Sequence, residues 1–492
     1  MKHLIKSLLM VATLLALPLT FTSCEDILGH WEKPVANVTP SATITLVPTA
    51  TTGDIIPGST TYLVTVATAD GGTVMYKVTD VNTKPSSTEG FSIEVPTAAG
   101  FDPGTYYVWY YAKGDATHND GEISATAVKV KVQYSLSTPL TLEVLEAGTI
   151  VVTDPKSNMQ YSLDGGNTKT QMTVTTTIPT SGELAAGTKV TFYGNGTSIT
   201  CYNGTKIKGG TAKVKVYGNI MSLLNETGFA TLTDPITLPA ANTFNCLFHN
   251  NIYLTDASGL LLPATTLAVE CYQMMFNNCQ ALTKAPELPA TTLADNCYFS
   301  MFASCTSLTT TPKLPATTLA IGCYEGMFSD CTNLTTAPEL PATTLALNCY
   351  KNMFAVCTTL TTAPADLPAE TLTKKCYYGM FSGCTNLTTA PELKATTLAN
   401  ECCVSMFQGC SSLTDAPALP ATLLVPSCYK EMFNGCTNLK SVTCLATDIN
   451  APYCTTNWLD GVAATGTFTK AATMTSWTTG ASGIPSGWTV AP

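Results

Sequence analysis

Short runs of alternating apolar and polar residues dominate the N-terminal half of the chain, which is the pattern of half-buried β-strands. In the run 128–132, three valines alternate with Lys129 and Lys131. The run 105–112 is rich in tyrosine and tryptophan, which strands favour, and the turn-forming stretch 113–122 follows it. These features predict an antiparallel β-sandwich over residues 37–134.

A second set of short Val, Thr and Ile runs, punctuated by glycine-rich turns such as Asp164-Gly165-Gly166, predicts another β module over residues 135–220. The strand–turn–strand order of the first module resembles bacterial immunoglobulin-like repeats, so we expect two Ig-like sandwich modules. Modules of this kind act as spacers. Alternatively, one face holds a glycan, with a tyrosine or tryptophan as a stacking platform.

From about residue 238 the sequence repeats itself. Cys271-Tyr272 is the first of seven clear copies, and the last is Cys428-Tyr429. The copies are 26 residues apart, except for one step of 27 where Asp366 adds a residue. Each unit reads approximately LPATTLAxxCYxxMFxxCTxLTTAPE. A fixed period in the range of roughly 20–29 residues is the signature of a leucine-rich-type solenoid, in which neighbouring units share one core.

Within one unit, apolar residues recur every four positions and predict a stripe on a short helix or a pair of turns. In the copy that begins at Cys323 these residues are Cys323, Met327 and Cys331, with Tyr324 and Phe328 beside them. Leu334, Ala337 and Leu340 follow as the predicted inward positions of a short strand, which Pro338 and Pro341 end.

Comparison of the copies predicts one polar column on the strand face. Its members are Lys284, Thr310, Thr336, Thr362, Thr389 and Asp415. These residues are candidates to line a surface that faces a partner; the alternative is an ordinary solvated strand face.

The repeat unit resembles the BspA-like leucine-rich repeats of bacterial surface proteins, which also have a 26-residue period. The resemblance implies a solenoid with caps over residues 221–465 and a C-terminal cap or tail over 466–492. The predicted fold class is therefore mainly β, with two N-terminal Ig-like β-sandwich modules followed by a leucine-rich-repeat-type solenoid. The resemblance also implies cell-surface adhesion, with host or neighbouring-cell surface proteins as partners.

The first residues have the features of a secretory signal: Lys2 and Lys6, then an apolar run from Leu8 to Phe21 that is too short to span a bilayer. Residues 1–23, followed by Cys24, resemble a bacterial lipoprotein signal peptide in which the cysteine is acylated. This predicts a lipidated tether over 24–36, a membrane connection through the lipid anchor alone, and an outer-membrane lipoprotein exposed at the cell surface. The alternative is an ordinary signal peptide with an incidental cysteine.

Composition excludes several classes of function. The chain has no arginine and a net charge of −10, which excludes a nucleic-acid-binding surface. None of the four histidines lies in a catalytic or zinc-binding motif, and the recurring glutamates Glu287, Glu339 and Glu392 predict a ladder rather than an acid/base pair. We therefore expect no enzyme activity, catalytic residue, metal or cofactor.

Fourteen of the 20 cysteines form seven C-x7-C pairs. The pairs comprise Cys271, Cys279, Cys297, Cys305, Cys323, Cys331, Cys349, Cys357, Cys376, Cys384, Cys402, Cys410, Cys428 and Cys436. Export favours disulfides within each pair, but a straight helix would hold the partners roughly 12 Å apart. Intra-repeat disulfides and reduced, buried thiols are both retained as hypotheses.

Surface adhesion is the leading functional hypothesis. The alternatives are a glycan-binding lipoprotein that serves a polysaccharide uptake system, and a structural surface component. Trp477 and Trp488 in the tail either cap the repeats or provide a platform on which a sugar stacks.

Overall fold

The computed structural model describes residues 39–156, 158–196, 204–233, 236–475 and 477–491. The fold is mainly β, with 27% of residues in strands and almost no helix. The signal peptide, Cys24 and the tether lie outside the described residues. Within the part of the chain that is described, no helix is long and apolar enough to cross a bilayer. Two compact units are present: 39–52, 60–97 and 105–130 form the first, and 53–59, 98–104 and the chain from 131 onward form the second.

The first unit contains two small sheets. Its strands are β1 (Thr43–Leu46), β2 (Thr68–Asp70), β3 (Gly72–Thr79), β4 (Gly104–Gly114) and β5 (Val128–Val132). Strands β1 and β2 form an antiparallel ribbon, and the other three form a sheet in the order β3-β4-β5. The alternation predicted for 128–132 is confirmed, because Val130 and Val132 are buried while Lys129 and Lys131 are exposed.

The second unit begins with two further sheets. Their strands are β6 (Thr141–Glu146), β7 (Ile150–Thr153), β8 (Gln160–Ser162), β9 (Thr170–Gln171), β10 (Thr176–Ile178), β11 (Lys189–Tyr193), β12 (Lys206–Gly209), β13 (Lys213–Asn219) and β14 (Leu254–Leu261). One sheet has the order β14-β13-β6-β11-β8-β9 and the other has the order β10-β7-β12. Two short 3₁₀ helices, Ile220–Leu223 and Phe229–Thr231, follow β13.

The six-stranded sheet continues directly into the repeats. Strand β14 pairs in parallel with β13, and its Asp256 also forms a parallel bridge with Lys284 in the first clear repeat. A single hydrophobic core runs from Leu140 to Trp488. The second β module therefore covers the N-terminal end of the repeats and shares their core, which goes beyond the role of a spacer.

Few residues of the repeats form regular strands, although equivalent positions pair in parallel from copy to copy. The strands are β15 (Asp366–Leu367), β16 (Glu392–Leu393), β17 (Ser441–Cys444), β18 (Gly466–Lys470) and β19 (Trp488–Ala491). Strands β15 and β16 pair in parallel, as do β17, β18 and β19. Leu334, Ala337 and Leu340 are buried, as predicted for inward positions.

The segment for which a short helix or a pair of turns was predicted contains no helix. It is a continuous series of turns with a period of four residues. In the copy around Cys271, the N–H groups of odd-numbered residues donate to the carbonyl three residues back, as Gln273 does to Glu270 at 3.2 Å. Even-numbered residues donate instead to the next repeat, as Tyr272 does to Cys297 at 3.0 Å. Each copy is thus hydrogen-bonded to the next along the segment.

A residue with a left-handed backbone conformation, that is, with a positive φ, at every fourth position produces this series of turns. Glu270, Met274 and Asn278 have φ values of 55°, 51° and 59°. A positive φ at the third position is what a type II turn requires, and it is incompatible with a continuous right-handed helix. The apolar spacing of four residues therefore reflects the turn period rather than the 3.6-residue period of a helix.

Two aromatic columns run from one copy to the next. The first stacks the tyrosines from Tyr272 to Tyr377, with Tyr298 and Tyr324 separated by 5.9 Å between ring centroids, and Cys403 interrupts it in the following copy. The second stacks the phenylalanines, with Phe302 and Phe328 separated by 5.6 Å. These rings are almost fully buried, so successive copies bury one another's apolar side chains.

We expect Val356→Asn to raise the free energy of unfolding by about 0.5–1 kcal/mol. Val356 is 43% exposed and has a φ of 61°, a conformation that is costly for a β-branched residue and that asparagine tolerates. Urea unfolding measures the change. Val269→Asn is the matched control, since Val269 is equally exposed but does not have a positive φ. Equal effects of the two substitutions would contradict the assigned backbone conformation.

Candidate functional site

The six residues predicted to face a partner lie in one column and are all exposed. Parallel bridges connect Thr336 to Thr362 and Thr362 to Thr389. The backbone N–H of Ala337 donates to the Thr362 carbonyl at 2.9 Å, which keeps this part of the column in register. The centre of the column therefore presents uncharged hydroxyl and methyl groups at the spacing of one repeat.

The two ends of the column carry charge. Lys284 forms ion pairs with Asp102 and, at 3.8 Å, with Asp256. Its ammonium group is therefore already engaged in ion pairs, although the sequence comparison placed it among the candidates to face a partner. Asp415 accepts a hydrogen bond from Thr414 Oγ1 at 2.8 Å.

A groove of about 460 Å³ lies beside the first part of this column. The exposed prolines Pro289 and Pro315 line it, together with Thr310 and the two lysines Lys284 and Lys313. Glu287 also lines the groove and pairs with Lys131 at 3.0 Å, and Glu339 and Glu392 occupy equivalent exposed positions in later repeats. This surface combines apolar ring faces with a small number of charges, as protein-binding surfaces do.

The fourteen cysteines of the C-x7-C pairs are free, buried thiols in the structure. The second cysteine of each pair points away from the first, toward the preceding repeat. Cys305 Sγ donates to the Phe276 carbonyl at 3.1 Å, and Cys331 Sγ donates to the Phe302 carbonyl at 3.2 Å. This direction follows from the series of turns, and it gives each thiol a partner that a disulfide within the repeat would remove.

Burial keeps these thiols protonated. It raises the pKa of Cys279 to about 12 and that of Cys271 to about 12. For Cys297, burial and the neighbouring Cys271 both raise the pKa. Cys402 is the exception, because a hydrogen bond with Cys403 lowers its pKa, although its side chain is also buried.

A thiol reagent such as Ellman's reagent should therefore leave the repeat cysteines unmodified in the native chain at pH 8. After denaturation without reductant, the same cysteines should react. Reactivity requires an accessible thiolate, and all of these thiols, Cys402 included, are buried. If the denatured chain gained thiols only after a reductant was added, disulfides would be present and the free-thiol assignment would be wrong.

The tail tryptophans cover the last repeat. Trp458 stacks on Tyr429 at 6.4 Å, and Trp477 stacks on Trp458 at 5.7 Å, which extends the tyrosine column. Trp488 is only 7% exposed, and its indole N–H donates to the Ala463 carbonyl at 2.8 Å. A buried ring cannot serve as a sugar-stacking platform, so for Trp488 the geometry favours capping.

No family model, curated protein or solved structure matches this chain.

In the first unit, the Asp115 carboxylate is engaged by neighbouring residues. Asp115 accepts hydrogen bonds from the N–H and the hydroxyl of Thr117, and the Thr117 and His118 contacts lower its pKa to about 2. Among the described residues, no group of three or more His, Cys, Asp or Glu side chains is arranged to hold a metal ion.

Proposed function

We propose that the protein is a cell-surface lipoprotein whose BspA-like repeats form a leucine-rich-repeat-type solenoid that binds surface proteins of a host or a neighbouring cell. In this proposal the two N-terminal β modules are Ig-like sandwiches, and acylated Cys24 holds the mature chain in the outer membrane. The parallel pairing of equivalent positions in successive repeats, with shared aromatic columns, supports the solenoid.

The exposed threonine column is the observation that carries the binding proposal. A partner that covers Thr336, Thr362 and Thr389 desolvates no charge, so the penalty that opposes burial of ionic groups does not arise. Threonine also loses less rotamer freedom on binding than lysine or glutamate does. The adjacent proline-lined groove adds apolar area.

The binding test uses the mature chain and a panel of purified extracellular-matrix and mucosal proteins in surface plasmon resonance. We expect at least one of these proteins to bind, and the substitutions Thr336→Glu, Thr362→Glu and Thr389→Glu together to abolish binding. The matched control places the same three changes in another exposed column, at Thr317, Thr343 and Thr396, and should bind normally. The proposal fails if no protein of the panel binds, or if both triple variants lose binding equally.

Localisation is tested separately. Mass spectrometry of the N-terminal peptide should find acyl chains on Cys24, and Cys24→Ala should release the protein from membranes. Digestion of intact cells by an added protease should remove the repeats. Full protection of the repeats in intact cells would contradict display at the surface.

A further inference from the structure

One face of the six-stranded sheet carries a polar arrangement that meets the partner column only where Lys284 pairs with Asp256. Strand register places Lys189 opposite Glu143, Glu143 opposite Lys215, and Lys215 opposite Asp256. Charges thus alternate along a row that crosses four adjacent strands. Lys215 Nζ lies 3.3 Å from a Glu143 carboxylate oxygen, so charges of opposite sign compensate one another within the row.

A second row lies beside the first on the same face. It aligns Ser162 with Thr191, Thr191 with Thr141, and Thr141 with Tyr217. Ser162, Thr141 and Thr191 are buried, and the hydroxyls of Thr141 and Thr191 donate to backbone carbonyls, so this row offers little to a ligand. The accessible donors and acceptors are those of the charged row, which carries little net charge.

An aromatic pair borders both rows. The rings of Tyr134 and Tyr217 stack at 4.2 Å with an interplanar angle of 14°. Gly259 makes room for the pair, since a Cβ on it would lie 2.5 Å from Tyr134 Cε2 and 2.7 Å from Tyr217 Cβ. The Tyr134 hydroxyl is protonated at neutral pH, as that of an ordinary tyrosine is, and burial raises its pKa further, to about 12.

Two cavities meet at this pair. One has a volume of about 830 Å³ and is lined by Tyr134, Thr141, Glu143, Lys189 and other residues of the rows. The other has a volume of about 240 Å³ and is lined by Tyr134, Lys215 and Asp256. Both lie wholly within the second unit. The larger volume falls within the usual range of small-molecule sites, roughly 300–1,000 Å³.

We propose that this cleft binds a neutral oligosaccharide, with Tyr134 as the apolar platform and the row of alternating charges as hydrogen-bonding partners. A pyranose ring has an apolar C–H face that stacks on an aromatic ring, and its hydroxyls both donate and accept hydrogen bonds. Alternating charges serve such a ligand without favouring an ionic one. The acidic chain, with a net charge of −10, disfavours acidic sugars further. This inference is independent of the protein-binding proposal for the repeats.

Isothermal titration calorimetry of the mature chain tests the proposal. The neutral probes are cellohexaose, maltohexaose, mannohexaose and N-acetylated chitohexaose, and the acidic probe is hexagalacturonate. We expect at least one neutral hexasaccharide to bind with a Kd below about 1 mM, and hexagalacturonate to bind at least about tenfold more weakly. Failure of every neutral probe to bind at millimolar concentration, or a preference for hexagalacturonate, would overturn the proposal.

Two variants locate the binding site. Tyr134→Ala should weaken binding of the neutral probe by about tenfold or more, and Gly259→Ala should also weaken it, because the added methyl displaces the platform ring. Tyr453→Ala is the matched control, since Tyr453 is 72% exposed in the last repeat, and it should leave binding unchanged. Circular dichroism establishes that each variant is folded. Unchanged affinity in folded Tyr134→Ala and Gly259→Ala would place the sugar elsewhere.

Discussion

Raising the pH from about 8 to about 11 should unfold the repeats cooperatively. The second cysteines of the seven C-x7-C pairs are all buried. Burial raises the pKa of each of these seven thiols above the ordinary value of 9.0. Above pH 9 the unfolded chain releases these protons and the folded chain retains them. The free energy of unfolding therefore falls as the pH rises from 9 toward the folded-state values.

The size of this effect exceeds the stability of an ordinary domain. Each such group contributes about 1.4 kcal/mol per pH unit, so seven thiols contribute roughly 10 kcal/mol per unit. Folded domains are stable by only about 5–15 kcal/mol. Circular dichroism and the ultraviolet absorbance of thiolate should change together, and a return to pH 8 without oxidation should reverse both. If thiolate appeared with a midpoint near 9 while the repeats remained folded, the thiols would not be buried.

We expect Phe328→Ala to lower the free energy of unfolding by about 3–5 kcal/mol, since it removes a fully buried ring. Phe328 lies between Phe302 at 5.6 Å and Phe354 at 5.7 Å, so the cavity would open between three consecutive copies. Urea unfolding measures the loss. Phe328→Leu is the matched control, because it retains most of the side-chain volume and should cost about 1.5 kcal/mol or less. A loss below about 1 kcal/mol for the alanine variant would mean that the column is not packed.

Much of the repeat could be predicted from the sequence, because a comparison of the internal copies shows which positions keep the same type of residue. The period identified the equivalent residues, and the residues assigned to the interior, such as Leu334 and Leu340, are buried. The choice between a helix and turns stayed open, because an apolar spacing of four suits both. Glycine and asparagine at left-handed positions, such as Gly326 and Asn352, are the signal that would have decided it.

The candidate sites were predictable to different degrees. The partner column needed only the repeat period, and three of its six members, Thr336, Thr362 and Thr389, pair in register. The engagement of Lys284 by Asp102 was not predictable, because it joins positions far apart in the chain. The cleft at Tyr134 was missed for a related reason: its rows exist only once the pairing of β6, β11 and β13 is known, and Tyr134 itself fell at a predicted module boundary.

Whether the C-x7-C pairs form disulfides depends on where each thiol points, which the spacing of the cysteines does not determine. The two hypotheses for the C-x7-C pairs were disulfides within each repeat and reduced thiols buried in the core, and the structure has free thiols within the core. In the structure, the thiol of Cys305 reaches into the preceding copy and donates to a backbone carbonyl. No spacing rule distinguishes that arrangement from a disulfide, since the direction is set by left-handed turn residues on either side.

Cross-linking between equivalent positions tests most directly whether successive copies pair in register. Thr336 and Thr362 form a parallel bridge and are exposed, so the double substitution Thr336→Cys and Thr362→Cys places two accessible thiols about 5 Å apart between Cα atoms. That distance permits a disulfide, whereas Thr336→Cys with Thr389→Cys spans two copies, about 10 Å, and does not. Mild oxidation followed by peptide mass spectrometry should find the cross-link in the first pair and not in the second. Its absence from the first pair, or equal formation in both, would contradict the pairing of consecutive copies.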